Sequence, residues 1–134
     1  MPLPFLSLAA VVMSLALTGR VVAQPPVLLV LGDSLSAAYG MATEAGWVSL
    51  LQRRLEERDL SFRVVNASIS GETTAGGLNR LPGLLEAHRP AVVVIALGAN
   101  DGLRGFAFET LRTNLGQMIR LSRAAGSRVL LVGI

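Results

Sequence analysis

Cysteine is absent from the 134 residues. That excludes disulfides, a lipid-modified N-terminal cysteine, thiolate catalysis and Cys-zinc sites together, so stability must come from packing. Lysine is absent too, since all 12 basic residues are arginine, and histidine occurs once. The net charge is only +3, and the high isoelectric point reflects arginines that do not titrate near neutrality rather than a strongly basic surface. Aromatics make up 4% of the chain. The arginines stand singly or as the pair Arg53 and Arg54, with no basic stretch interleaved with aromatics, which excludes nucleic acid as a partner. Charged residues are scarce at 16% and hydrophobic ones reach 51%, so the chain is neither disordered nor a charged tail. Its length suits one domain.

The first 23 residues, MPLPFLSLAAVVMSLALTGRVVA, hold an apolar run from Leu3 to Leu17 and a small-residue pattern ending at Ala23. This reads as a signal peptide cleaved before Gln24, which sends residues 24–134 to the periplasm or outside the cell. The competing reading is a retained anchor, but the run is shorter than the ~20 residues a spanning helix needs. No stable membrane span is expected after cleavage.

Beyond the leader, apolar runs alternate with amphipathic ones. Val27–Leu31 reads as a buried strand, Phe62–Asn66 as a second, Ala91–Leu97 as a third and RVLLVGI as a fourth. Between them lie three helical patterns. The first places Trp47, Leu50, Leu51 and Leu55 on one face; the second carries Leu78, Leu81, Leu84 and Leu85, with Pro82 expected in its first turn. The third aligns Phe108, Leu111, Leu115, Met118, Ile119 and Ser122, with Gly126 at its end. Strands alternating with helices predict an α/β fold, a three-layer α/β/α sandwich around a parallel sheet. Ligands of such sheets bind beyond the carboxyl ends of the strands.

Three polar stretches stand at those ends: Gly32-Asp33-Ser34, Ser70-Gly71-Glu72 and Gly98-Ala99-Asn100-Asp101. They unite a hydroxyl, a glycine whose amide no side chain screens, and a carboxamide donor. A nucleophile with donors for a developing oxyanion is the equipment of ester cleavage. Asp33 and Asp101 adjoin site residues too closely to orient a base, and are expected to stabilise their own loops through Asx-type hydrogen bonds. Glu44, Glu72 and Glu86 are expected to be solvated. A bland reading of Asn100 makes it a turn amide capping Gly102.

GDSLS, NASISGETT and GAND, in that order, resemble blocks I, II and III of the SGNH (GDSL-type) hydrolases. The longer runs VVNASISGETTAGGL and GANDGLRGF are most similar to the bacterial periplasmic thioesterase, lysophospholipase and arylesterase branch. The resemblance implies the flavodoxin-like SGNH fold, no cofactor and no metal. It makes Ser34 the nucleophile with its own amide in the oxyanion hole, joined there by Gly71 and Asn100. The implied substrate is a small acyl ester or thioester, a lysophospholipid included. Neither G-x-S-x-G nor G-x-G-x-x-G occurs at the first strand, so the α/β-hydrolase and dinucleotide readings fail.

The family pattern places the general base His, with its Asp partner, in a D-x-x-H block that this sequence lacks. His88 precedes the third strand while Asn100 follows it, on the order of 20 Å away at ~3.3 Å per strand residue. Tyr39 offers only a phenol, a poor base. The resemblance also implies at least one further strand and helix after RVLLVGI. The expectation is therefore the N-terminal portion of a serine hydrolase, catalytically crippled and with an unpaired sheet edge. The alternative is a non-catalytic acyl- or glycan-binding module of the same fold. The sequence leaves acyl-chain length and oligomeric state open.

Overall fold

The computed structural model describes residues 23–133. The signal peptide read at residues 1–23 lies outside the described residues except for Ala23. Four strands form one parallel sheet: β1 (Val27–Gly32), β2 (Arg63–Asn66), β3 (Val92–Ala96) and β4 (Arg128–Leu131), in the order β2-β1-β3-β4. Between them run α1 (Trp47–Glu57), α2 (Thr74–His88), the short α3 (Ala99–Leu103) and α4 (Phe108–Ala124).

Alternation along β1 sorts the layers. Leu29 and Leu31 join Val93 and Ile95 against Leu81 and Leu85 of α2 and Met118 of α4. Val30 and Val94 face the other way, onto Val48 of α1. Each fully buried aliphatic side chain favours the folded state by about 1.5–3 kcal/mol relative to exposure, so the alternation fixes which helix covers which face. The result is the expected three-layer sandwich.

The boundaries differ in instructive ways. In α1 the buried residue is Val48, with Leu51 and Leu55 half-buried, whereas Leu50 is exposed. The inward face is thus rotated by about one position from the expected one. Thr73 starts α2 early, its hydroxyl accepting the Gly76 N–H at 3.2 Å, so Pro82 falls in mid-helix rather than in the first turn. Its ring sits on the exposed side of the helix, where the missing N–H is tolerated. Phe108 heads α4 but is 71% exposed, because the inward stripe starts only at Leu111. Among the described residues β4 pairs with β3 alone, and Leu130 and Leu131 are exposed.

Candidate active site

From β1 the chain goes to β2 on one side of it, then crosses over to β3 on the other. At that reversal the connections leaving β1 and β3 diverge, and a crevice opens beyond their carboxyl ends. Gly32 is level with Ala96, so Ser34 and Asn100 are carried to the same end of the sheet. Gly71 arrives there from β2, whose last residue Asn66 pairs with Val30.

Ser34 opens a tight turn that runs to Gly40. The Asp33 carbonyl accepts the Ser36 and Ala37 amides at 3.2 and 2.9 Å, and the Asp33 carboxyl accepts the Leu35 N–H at 3.1 Å. That last bond is the local Asx-type role expected of Asp33. Ser36 is buried and accepts the Trp47 indole N–H, while its carbonyl accepts the Asn66 side-chain amide at 2.7 Å. Gly32 allows this packing, since an added Cβ would lie 2.7 Å from the Ser36 Cβ. The turn is thereby tied to α1 and β2, with Ser34 half-buried between.

The second loop, residues 67–73, is held at nearly every step. The Ile69 N–H donates to the Gly32 carbonyl at 3.0 Å, and Glu72 N–H returns to Ile69 O at 3.1 Å. Arg80 of α2 grips the Ala67 carbonyl and the Glu72 carboxylate, each at 2.8 Å. Glu72 is therefore no solvated acid: its side chain is 11% exposed, because the loop turns it back onto Arg80. Gly71 has φ +80°, a conformation that favours glycine.

Asn100 lies in the first turn of α3, a helix where the sequence reading had only a loop. Its side-chain amide donates to the Glu72 carbonyl at 3.0 Å, so it braces the second loop rather than capping Gly102. One hydrogen of that amide remains for another acceptor. Arg104, one turn further on, donates to the adjacent Gly71 carbonyl at 2.9 Å. Among the described residues, the backbone N–H groups of Ser34 and Gly71 donate to no protein acceptor.

Asp101 corrects a second expectation. Its carboxyl accepts from Thr74 N–H at 2.9 Å and from the Thr74 hydroxyl at 2.5 Å, a link across 27 positions rather than within its own loop. The Asn114 side-chain amide donates to the same hydroxyl at 3.0 Å. Asp101 is 1% exposed and Thr74 0%, so α2, α3 and α4 meet at one buried polar knot beside Asn100. Thr74, Arg80, Arg104 and Asn114 escaped sequence reasoning because each acts through a fold contact.

His88 ends α2, immediately ahead of β3 and so at the opposite end of the sheet from Ser34 and Asn100. A cleft of about 200 Å³ lies beside the nucleophile turn, lined by Asp33, Leu35, Ser36, Trp47 and Ala96 with Val132 and Gly133. A larger groove of about 690 Å³ follows α4 and reaches Leu131, but includes none of Ser34, Gly71 and Asn100. Among the described residues no group of three metal-ligating side chains converges, and no helix is long and apolar enough to cross a membrane.

Residues 30–134 match the model of the GDSL-like lipase/acylhydrolase family. The chain is 60% identical over 107 residues to the esterase TesA of Pseudomonas aeruginosa, covering 80% of this chain and 53% of that one. It is 47% identical over 107 residues to thioesterase 1/protease 1/lysophospholipase L1 of Escherichia coli K12, covering 80% of this chain and 50% of that one. Among solved structures, the psychrotrophic esterase EstA of a Pseudoalteromonas species, inhibited by monoethylphosphonate, superposes with a TM-score of 0.77 at 49% identity. That match covers 81% of this chain and 59% of EstA. The chain spans about half the length of the curated relatives it matches.

Proposed function

Because the chain belongs to the GDSL-like lipase/acylhydrolase family, we propose that it carries the nucleophile and the oxyanion hole of a serine hydrolase acting on carboxylic esters and thioesters. The observation that carries this reading is the convergence at one sheet end of a half-buried hydroxyl, two backbone N–H groups without internal acceptors and a braced carboxamide. Its relatives include an esterase and a thioesterase/lysophospholipase, which favours small acyl esters, acyl thioesters and lysophospholipids as the substrate classes.

In this mechanism Ser34 Oγ attacks the acyl carbonyl carbon and passes its proton to solvent water, which later returns a proton to the departing alcohol or thiol. The carbonyl oxygen becomes an oxyanion held by the N–H groups of Ser34 and Gly71 and by the Asn100 carboxamide. Such donors favour the charge only as it develops, and removing one lowers rates by roughly a hundred- to a thousandfold. Collapse of the intermediate expels the alcohol or thiol and leaves an acyl-enzyme on Ser34, which water then cleaves. Export of the mature protein to the periplasm or beyond belongs to the same proposal, on the strength of the leader sequence.

Among the described residues the one histidine, His88, lies at the far end of the sheet from Ser34, so acylation is expected to be slow and stoichiometric. The test is the intact mass after incubation with p-nitrophenyl butyrate. One butyryl group on the wild-type chain and none on Ser34→Ala is the expected result. A butyrylated Ser34→Ala variant would overturn the assignment.

A further inference from the structure

The Glu72 N–H to Ile69 carbonyl bond closes a four-residue turn with Ser70 and Gly71 at its centre. Gly71 has φ +80° and Ser70 is not among the positive-φ residues, which makes this a type II turn. Its central peptide joins Ser70 to Gly71 and carries the Gly71 N–H, one of the proposed oxyanion donors. Type I and type II turns share the same closing bond and differ by a flip of that central peptide. The flip would reverse the Gly71 N–H and leave the rest of the loop in place.

In a type II turn the central carbonyl lies on the side where an L-residue in the third position would carry its Cβ, and this crowding is what selects glycine. The N–H points to the opposite side. At Gly71 an added Cβ would lie 3.6 Å from Arg104 Nη2. The guanidinium therefore stands on the carbonyl side of the central peptide, kept there by its 2.9 Å bond to the Gly71 carbonyl. The bonded Gly71 carbonyl belongs to the next peptide, which the flip leaves in place; a flipped central peptide would turn its N–H toward the guanidinium side, whereas the observed one turns the Ser70 carbonyl that way.

The geometry points to Arg104 as a positioning residue that holds the Ser70–Gly71 peptide in its type II state and so keeps the oxyanion hole formed. This inference rests on the assignment of Ser34 and Gly71 to a hydrolase site. Arg104 itself touches neither the nucleophile nor, in this role, the reacting carbonyl. Its charge matters more than its fork, so lysine should replace it better than a neutral side chain of similar length.

The test compares wild type, Arg104→Lys and Arg104→Met in two measurements. One is the rate at which a fluorophosphonate labels Ser34, followed by intact mass. The other is the Gly71 amide in ¹⁵N relaxation dispersion, which reads peptide flips on the microsecond to millisecond scale without any reaction. Arg104→Met is expected to slow labelling about tenfold, short of the hundredfold or more for a deleted donor. Its Gly71 resonance should shift or broaden, Arg104→Lys should recover most of both effects, and all three melting temperatures should agree. Wild-type labelling by Arg104→Met with an unaltered Gly71 resonance would overturn the inference. So would a variant that loses rate through a general drop in melting temperature with resonances shifted throughout. If Ser34 is unlabelled even in the wild type, the hydrolase assignment falls instead, and the Gly71 resonance alone still decides the conformational role of Arg104.

Discussion

Gly71 shows what a single residue contributes here. It sits at φ +80° with its amide unpaired and its carbonyl held by Arg104. Gly71→Ala would place a Cβ in the left-handed region at a cost of about 1–2 kcal/mol, and would favour the flipped turn. Chemical denaturation should register that loss, and Ser34 labelling should fall by more than the stability change explains. An alanine variant labelled at the wild-type rate would show that the Gly71 amide is not a donor. The placement of Ser34, Gly71 and Asn100 at one end of the sheet was legible in the sequence because each follows an apolar strand at short range, and parallel strands bring their ends together whatever lies between. Arg104, Thr74 and Asn114 were not, since their partners lie 33, 27 and 40 positions away. Glu72 was misread for a different reason: its partner Arg80 is close in sequence, but only the folded loop turns the carboxylate toward it.

Among the α-helices, α3 is the one the sequence did not disclose. A five-residue helix, little more than one turn and containing a glycine, has too little periodicity to read. Yet it sets Asn100 and Arg104 one turn apart, so that they grip the consecutive carbonyls of Glu72 and Gly71. Asp101 anchors the helix from beneath through Thr74. Asp101→Ala leaves a buried N–H and a buried hydroxyl without that acceptor, a loss of about 2–4 kcal/mol in urea unfolding. Asp101→Asn keeps one carbonyl oxygen and should lose roughly half as much. Equal stability of the alanine variant and wild type would show that the knot does not hold the helices. The four strands and three longer helices were legible from β-branched runs and apolar stripes. Their inward faces were less so, because a stripe one position wide of the true one reads almost equally well, as with Leu50 against Val48 in α1.

For the whole molecule, topology does most of the functional work. The strand order β2-β1-β3-β4 opens the crevice beside β1, where Ser34 and Asn100 emerge, and puts the single histidine at the other end. A hydrolase site deprived of one of its triad members keeps only a residual rate, roughly a thousandfold or so above water. Residues 24–134 are therefore expected to release p-nitrophenol in steady state no faster than their Ser34→Ala variant, even though Ser34 is acylated once. Sustained Ser34-dependent turnover would mean that another group in these residues accepts the proton. The central claim is that donors from three strand ends converge on Ser34, and the rate and position of fluorophosphonate labelling test it most directly, by peptide mapping of wild type beside Asn100→Ala. The prediction is a single adduct on Ser34, formed about a hundred- to a thousandfold more slowly once Asn100 is removed; label spread evenly over Ser34, Ser36 and Ser70, or an Asn100→Ala chain labelled as fast as wild type, would contradict it.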